Sequence, residues 1–318
     1  MRVFVAGATG ALGRATLPAL MAAGHEVFGL ARTPEKLLLV AQMGAETVRG
    51  DILDAQTIRS RISDIRPEAI VNLATAIPLR LKIDPEDWKM NDRIRTEGNA
   101  NLLAAAQEVG VRLFVQESVG YICMPRGAEW IDEDSPLSYH PFLRPTLQME
   151  TQVRSASVPG VLLRFCALMA ADSWHTRQSV GALRQGMLPL IGEGEAYLSM
   201  IHAVDAAQAI VCTLAAPEAA AGRTFFVGDS QPAPMHEVFP YAARLLHAPT
   251  PKSVPPFLAK MAIGATTFNI LTASYRISSS AIRNTLGFTP RYPTYRETWQ
   301  QIAQEIGEQP VNLSGDLS

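Results

Sequence analysis

The sequence predicts an α/β fold, a doubly wound parallel sheet with helices on both faces and a smaller C-terminal cap. Two observations predict the sheet. Short, nearly continuous apolar runs alternate with amphipathic helical runs through the first half of the chain, as in parallel sheets that are buried on both faces. A glycine-rich turn joins the first of these runs to the first helix. One observation predicts the cap: Pro, Gly and Ser become denser after Ala170, where the alternation ends.

Each element of the sheet follows from a local pattern. The helix after the first strand carries Leu12, Leu17 and Leu20 on one stripe, and the second helix begins at Pro34, where the missing N–H lies in the first turn. The predicted strands are residues 2–6, 26–31, 46–49, 69–73, 112–117, 161–165 and 223–227. The predicted helices are residues 11–23, 34–43, 55–62, 88–109, 145–156 and 206–216. Right-handed crossovers between parallel strands then make the sheet doubly wound.

The composition excludes several classes of protein. Of the 318 residues, 47% are hydrophobic and 18% are charged, which is typical of a chain with a core rather than a disordered one. The net charge of -2 argues against a nucleic-acid partner. The apolar stretch 256–275 contains Lys260 and several polar residues, so we expect it to pack on a core or line a pocket rather than span a membrane. The 3 cysteines are far apart, which favours a reducing compartment, the cytoplasm.

The glycine-rich turn has the pattern GxxGxxG and runs from Gly7 to Gly13. Gly7 permits a tight turn, Gly10 lets the backbone approach a pyrophosphate, and Gly13 allows the helix to pack closely on the sheet. The N–H groups and the dipole at the start of the helix stabilise phosphate groups. The turn therefore predicts a dinucleotide site on a Rossmann sheet.

Further motifs accompany this turn. They are Gly50-Asp51-Ile52-Leu53-Asp54, Asn72-Leu73-Ala74-Thr75-Ala76, the segment 200–207 and Leu286-Gly287-Phe288-Thr289-Pro290. With the glycines, they make residues 1–306 resemble the short-chain dehydrogenase/reductase superfamily in its extended form, which is similar to NAD-dependent epimerases and dehydratases. The resemblance implies that Asp51 meets the adenine amino group and that the turn after the fourth strand lies beside the nicotinamide ribose. The predicted cofactor-binding residues are Gly7, Thr9, Gly10, Ala11, Leu12, Gly13, Arg14, Arg32, Asp51, Ile52, Leu73, Ala74 and Thr75.

The end of the second strand indicates which dinucleotide binds. NAD-specific sites carry Asp or Glu there to hold the ribose hydroxyls, and this strand ends without an acid. Arg32 stands in that place and can pair with a 2′-phosphate, and Arg14 can supply a second guanidinium. The alternative is that both are solvated surface arginines. NADP is therefore the predicted cofactor, and NAD is the less favoured one.

The superfamily's proton-transfer pair is missing from this sequence. Members carry Tyr-x-x-x-Lys on the helix after the fifth strand, where the Tyr exchanges a proton with the substrate and the Lys lowers the pKa of the Tyr. No lysine occurs between Lys89 and Lys252, and alignment on Glu150 places Leu143 and Leu147 at the two positions. The chain therefore resembles an atypical member that lacks this pair.

Residues beyond the fifth strand are candidates for the chemistry. Ser118 matches the family's Ser or Thr that hydrogen-bonds the substrate oxygen. Tyr121 carries a phenol that can act as an acid if a cation lowers its pKa, and the alternative is a packed aromatic ring. Tyr139 and His140 precede the next helix and are equally well explained as surface loop residues. Cys123 is expected in the core or the pocket lining, because nothing near it in sequence favours a thiolate.

The expected domains indicate where the cofactor and the substrate bind. Residues 1–165 are predicted to form the dinucleotide-binding domain, to which segments near 200–230 return, and residues 166–318 to form mainly a substrate-binding cap. The cap's apolar and Met content favours a hydrophobic small molecule, unless those residues form the cap's own core.

The leading hypothesis is an NAD(P)-dependent oxidoreductase or epimerase-like enzyme acting on a small carbonyl or alcohol. The alternatives are a redox-inactive NADP-binding sensor and a non-redox isomerase or cyclase. The expected partner is a small-molecule substrate, with no metal, nucleic acid or membrane, and the sequence is compatible with a homodimer.

Overall fold

The computed structural model describes residues 1–79 and 84–308. The strands are β1 (Arg2–Ala6), β2 (Glu26–Ala31), β3 (Glu46–Arg49), β4 (Ala69–Asn72), β5 (Leu113–Val119), β6 (Trp130–Ile131), β7 (Gly160–Phe165), β8 (Ala167–Met169), β9 (Leu190–Ile191), β10 (Tyr197–Leu198), β11 (Met200–His202), β12 (Thr224–Val227), β13 (Ala233–Pro234), β14 (Ser253–Val254) and β15 (Arg276–Ile277).

The helices are α1 (Ala11–Ala22), α2 (Pro34–Gln42), α3 (Ala55–Ile65), α4 (Pro85–Arg93), α5 (Asn99–Val109), α6 (Arg144–Ser155), α7 (Trp174–Arg184), α8 (Ala203–Ala215), α9 (Pro217–Ala220), α10 (Met235–Leu245), α11 (Pro256–Ile263), α12 (Ala265–Leu271), α13 (Ser280–Leu286) and α14 (Tyr295–Glu308). A π-helical turn, Ile94–Gly98, joins α4 to α5, and 3-10 turns cover Gly120–Ile122 and Pro141–Leu143.

Seven parallel strands form the central sheet in the order β12-β7-β5-β4-β1-β2-β3. Strands β2 and β3 follow β1 on one side of the sheet. The chain then crosses to the other side of β1, where β4, β5, β7 and β12 are added in order. The order therefore reverses between β1 and β4, and the carboxyl ends of these two strands border the crevice where open α/β sheets bind ligands. The predicted doubly wound fold is confirmed.

Helices cover both faces of this sheet with apolar side chains. On one face α1, α8 and α13 pack on alternate residues of the strands, such as Val5 and Val115. On the other face α3, α5 and α6 pack on the intervening residues, such as Phe4 and Phe114. The strands are therefore buried on both sides, which explains their continuous apolar sequence.

One predicted helix is interrupted. The sequence pattern predicts a single helix over residues 88–109, but the π turn Ile94–Gly98 divides it into α4 and α5. Apolar periodicity continues across the turn, because a π turn inserts a residue without ending the helix. The interruption places Arg95 in a buried position, as described below.

The C-terminal half contributes to the sheet as well as to a separate apolar cluster. Strand β12 and helix α8 belong to the central sheet and its cover, whereas α7, α10 and α14 share a cluster around Val180, Val238 and Trp299. The boundary predicted between residues 165 and 166 stays a prediction, and residues 309–318 of the predicted cap lie outside the described residues.

The stretch 256–275 forms the short helices α11 and α12. Several of its apolar side chains face outward, including Phe257 at 65% and Met261 at 80% exposure. These two side chains therefore do not pack on a core, and the alternative expectation that the stretch lines a pocket stays a prediction. In the part of the chain that the structure describes, no helix has the length and apolar character that crossing a membrane requires.

Candidate cofactor and active site

The phosphate loop lies between β1 and α1 and fits closely against its surroundings. Gly7 has a φ of +78°, and a Cβ on this residue would lie 2.4 Å from the carbonyl oxygen of Leu73. A Cβ on Gly13 would lie 2.2 Å from the carbonyl oxygen of Gly7. Neither position has room for a side chain, so these glycines bring the loop against the end of β4 and against α1.

Gly10 differs from the other two glycines because the space beside it is open. The atom nearest to a Cβ on Gly10 would be the carbonyl oxygen of Gly7, at 3.4 Å. Gly10 precedes α1 and provides no side-chain cap, so the first N–H groups of the helix have no partner within it. The positive end of the helix dipole lies at the same opening. The pyrophosphate of a dinucleotide fits this cradle.

Arg14 joins the phosphate loop to the cap. Its Nε donates to Oδ2 of Asp172 at 2.6 Å, and its Nη1 donates to the carbonyl oxygen of Thr9 at 2.7 Å. Asp172 follows β8, so the ion pair connects the two halves of the chain. Because the guanidinium already has these partners, the geometry does not favour its predicted contact with a 2′-phosphate, and that contact stays a prediction.

Arg32 and Asp51 meet beyond the ends of β2 and β3. Nη1 of Arg32 lies 3.4 Å from Oδ2 of Asp51, and the two side chains are 50% and 38% exposed. Oδ1 of Asp51 accepts from the N–H of Leu53 at 3.0 Å, which fixes the carboxylate. Ile52 is buried and packs on Gly98 in the π turn. The residues predicted for the adenosine half of the cofactor therefore lie together at this side of the sheet.

The turn predicted beside the nicotinamide ribose follows β4 and is fixed by a buried amide. Oδ1 of Asn72 accepts from the N–H of Ala74 at 3.2 Å, and Nδ2 of Asn72 donates to Oε1 of Gln116 at 2.9 Å. Leu73 is buried, and Thr75 is half-buried. These two hydrogen bonds hold the turn next to the phosphate loop.

Ser118 is fully buried, and its hydroxyl donates to Oε1 of Glu150 at 2.7 Å. Glu150 also forms an ion pair with buried Arg164, whose Nη2 lies 2.8 Å from Oε2. Burial alone would raise the pKa of Glu150, but the hydrogen bonds and charge of Arg164 outweigh burial and lower it. Because Ser118 faces this network, the geometry does not favour contact between its hydroxyl and a substrate. Its catalytic role stays a prediction.

The positions of the missing Tyr and Lys are occupied by packed apolar side chains. Leu143 ends a 3-10 turn and is 6% exposed, and Leu147 is half-buried on the first turns of α6. Both pack in a cluster with Val119, Ile122 and Cys123 at the end of β5. Neither leucine can supply the proton of the missing phenol or the charge of the missing ammonium ion.

Tyr121 lies in the 3-10 turn that follows β5 and is 39% exposed. Its phenol is nevertheless surrounded closely enough that desolvation raises its pKa, while nearby Arg95 acts in the opposite direction and Glu117 adds to the rise. The phenol is therefore neutral at neutral pH and can donate a proton. The net pKa of Tyr121 is thus raised rather than lowered, and its catalytic role stays a prediction.

Arg95 and Glu117 form a buried ion pair at the same edge. Nη1 and Nη2 of Arg95 lie 3.3 and 3.4 Å from the two carboxylate oxygens of Glu117, and the side chains are 3% and 13% exposed. Sequence reasoning missed this pair, because the two residues are far apart in the chain and the π turn that orients Arg95 has no clear sequence signal.

The remaining side chains near this site cap a turn, face solvent or lie in the core. Nδ1 of His140 accepts from the N–H of Phe142 at 3.3 Å and so caps a 3-10 turn, while Tyr139 is 78% exposed. Burial raises the pKa of Cys123 to about 11, in agreement with an unreactive core thiol. Tyr275, which sequence reasoning also missed, lies near Tyr121, and burial together with that phenol raises its pKa to about 12.

Known proteins resemble this chain in sequence. The model of the NAD dependent epimerase/dehydratase family matches residues 3–228. A Streptomyces protein named 3-diazoavenalumate denitrifying reductase is 34% identical over 306 residues, which cover 93% of this chain and 98% of that protein. A Stigmatella aurantiaca protein named 4-hydroxy-2-methyl-3-oxo-4-farnesyl-3,4-dihydroquinoline-1-oxide ketoreductase is 27% identical, over 73% of this chain and 69% of that protein.

Solved structures share the fold over nearly the whole chain. A human epimerase family protein with NADPH superposes with a TM-score of 0.79 at 20% identity, covering 96% of this chain and 99% of that one. A short-chain dehydrogenase/reductase superfamily protein from Agrobacterium tumefaciens with bound NAD superposes with a TM-score of 0.75 at 25% identity, covering 96% of each chain.

Proposed function

The chain belongs to the NAD-dependent epimerase/dehydratase family and is thus an oxidoreductase- or epimerase-type enzyme with a nicotinamide cofactor. We propose that it is an NADP-dependent reductase of an aromatic small molecule. The cofactor, when bound, supplies a hydride ion. The chain holds the dinucleotide at the phosphate loop, with Arg32 at the 2′-phosphate and the turn after β4 at the nicotinamide ribose.

The observation that carries this proposal is the apolar cluster at Leu143 and Leu147. A carbonyl that accepts a hydride develops negative charge on its oxygen and needs a proton or a hydrogen-bond donor there. Leu143 and Leu147 offer neither at the two positions of the missing Tyr and Lys. The site therefore suits an acceptor whose reduction requires no proton from the protein.

An arenediazonium ion is such an acceptor. The C–N bond breaks and its electron pair leaves with the nitrogen as N2, while the hydride brings its own electron pair and forms a C–H bond at the same carbon. NADPH is oxidised, the arene is reduced, and no proton is gained or lost. The Streptomyces relative, named as a denitrifying reductase of a diazo compound, supports this class of substrate.

The second candidate is a ketone, favoured by one specific observation. Tyr121 presents a neutral, partly exposed phenol at the sheet edge, with Tyr275 near it. In this case the hydride adds to the carbonyl carbon and the phenol gives its proton to the oxygen, which yields an alcohol. The Stigmatella relative, named as a ketoreductase, supports this alternative.

A comparison of two acceptors tests the proposal. We would follow NADPH oxidation with a stable arenediazonium salt and with an aryl ketone, in wild type, Tyr121→Phe and the control Tyr139→Phe, and subtract the rates without protein. We expect turnover of the diazonium salt by all three proteins. If the ketone is the substrate, Tyr121→Phe lowers turnover about 10²-fold or more and Tyr139→Phe does not. If NADPH is oxidised with neither acceptor, the proposal is overturned.

A further inference from the structure

The Arg95–Glu117 ion pair is expensive to bury and is not explained by stability. Removing two charges from water carries a large desolvation penalty, and packed apolar side chains of similar volume are often at least as stable. The pair nevertheless lies almost completely inside the protein, with Arg95 3% and Glu117 13% exposed. Its position at the ligand edge of the sheet suggests a functional reason.

The π turn orients Arg95 toward the end of β5. A π turn inserts one extra residue into a helix. Because an α-helix has about 3.6 residues per turn, the insertion rotates the side chains that follow it by about 100° around the helix axis. Within this turn Arg95 is buried against Glu117 and Met149, whereas the neighbouring pair Arg93 and Glu97 is exposed. The backbone irregularity thus separates a buried ion pair from a solvated one.

The strand register places Glu117 at the nicotinamide end of the crevice. Strands β4 and β5 are parallel with Asn72 opposite Gln116, so Leu73 and Glu117 follow at the same level. The phosphate loop touches Leu73 at Gly7, and Arg32 with Asp51 marks the adenosine half over β2 and β3. The other half of a dinucleotide whose pyrophosphate lies at this loop must extend over the ends of β4 and β5.

We propose that the carboxylate of Glu117, held by Arg95, is the counter-charge of the nicotinamide end and favours the positively charged, oxidised ring over the neutral, reduced ring. This inference rests on the proposed function. Glu117 is the more exposed member of the pair, and it lies one residue beyond Gln116, which is opposite the last residue of β4. The same charge favours a cationic acceptor such as an arenediazonium ion over a neutral one. Glu117 thereby takes an electrostatic role in a site that lacks the Tyr and Lys.

The ratio of the dissociation constants for NADP+ and NADPH tests this inference without any turnover. We would measure both constants by titration calorimetry for wild type, Glu117→Gln and the control Glu97→Gln, whose carboxylate lies in the exposed pair with Arg93. We expect Glu117→Gln to weaken NADP+ relative to NADPH about tenfold. Glu97→Gln should leave the ratio unchanged.

A double variant keeps the test valid if Glu117→Gln leaves Arg95 unpaired and fails to fold. In the double variant Arg95→Met with Glu117→Gln, both charges are absent. Binding of NADP+ should again weaken relative to NADPH, but by a smaller factor than in Glu117→Gln. An unchanged ratio in a folded Glu117 variant that still binds both forms would overturn the inference and leave the proposed function intact. If wild type binds neither form, the proposed function itself fails.

Discussion

Arg32 is the residue on which the choice of dinucleotide depends. It follows β2 and is half exposed, and within residues 1–79 and 84–308 its ion pair is a long 3.4 Å contact with Asp51, which can give way to a 2′-phosphate. We predict that wild type binds NADPH at least about tenfold more tightly than NADH, a difference near 1.4 kcal/mol. Arg32→Asp should abolish or reverse this preference, because a carboxylate repels the phosphate and accepts from ribose hydroxyls.

Titration calorimetry with both reduced cofactors measures this preference. The matched control is Arg61→Asp, which makes the same charge change at an exposed position on α3. Equal affinities of wild type for NADPH and NADH would show that Arg32 does not determine the cofactor.

Glu150 is the centre of a buried network whose contribution depends on pH. Because its pKa is lower in the folded protein than the usual 4.5, its ionised form stabilises the fold above about pH 4.5, and this stabilisation is lost as the pH falls through the folded value. Glu150→Gln leaves the Arg164 charge buried without its partner, so we predict a loss of about 3–5 kcal/mol of unfolding free energy at pH 7.

Urea unfolding of both proteins at several pH values checks this prediction. The difference in unfolding free energy between wild type and Glu150→Gln should become smaller below pH 4.5. The control Glu108→Gln removes an exposed ion pair with Arg59 and should cost less than about 1 kcal/mol. A difference that stays constant with pH would contradict the role given to the Glu150 carboxylate.

Single residues show where sequence reasoning reaches its limit. The absence of the Tyr and Lys follows from counting, and the structure places Leu143 and Leu147 in an apolar cluster. The sequence also singled out Tyr121. It could not identify Arg95 as the neighbouring cation, because the two residues come together only through the folded sheet edge.

Within the βα element formed by β1 and α1, substitutions of Gly10 and Gly13 should have different effects. A Cβ on Gly10 meets only one atom, at 3.4 Å, so Gly10→Val should leave the melting temperature of the free protein nearly unchanged. The valine fills the cradle, so stabilisation by NADP(H) should disappear. Gly13→Ala places its Cβ 2.2 Å from a backbone oxygen and should destabilise the free protein by about 2 kcal/mol or more.

Thermal unfolding with and without NADPH separates the two effects, and each variant serves as the control for the other. Far-UV circular dichroism verifies that Gly10→Val is folded. If Gly10→Val is still stabilised by NADPH to the same extent as wild type, the dinucleotide does not lie at this loop.

Regular elements were predictable from the sequence, and irregular ones were not. Apolar periodicity identifies α1 and the buried strands, because both have a fixed repeat. The π turn between α4 and α5 escaped detection, since its extra residue changes the direction of Arg95 without breaking the apolar pattern. The strand β5 extends to Val119, beyond the predicted end at residue 117, which brings Ser118 into the sheet and toward Glu150.

At the scale of the whole molecule, the sheet was predictable and the arrangement of the cap was not. The small strands from β8 onward that lie outside the central sheet are two or three residues long and give no periodic signal. Composition predicted an apolar cap, and the exposed side chains of Phe257 and Met261 show that not all of this apolar surface is internal. Arg276 in β15 stacks 4.3 Å from the Trp130 ring and donates to a backbone oxygen, contacts that join distant parts of the chain.

The proposed chemistry concerns the whole enzyme, because it requires the phosphate loop, the sheet edge and the cap together. The measurement that tests it most directly uses NADPH with deuterium at both C4 positions of the nicotinamide and an arenediazonium salt. We predict that the product arene contains deuterium at the carbon that carried the diazonium group, and that N2 is released in the same amount as NADPH is oxidised. NADPH oxidation without N2 release, or an arene product without deuterium, would contradict the account.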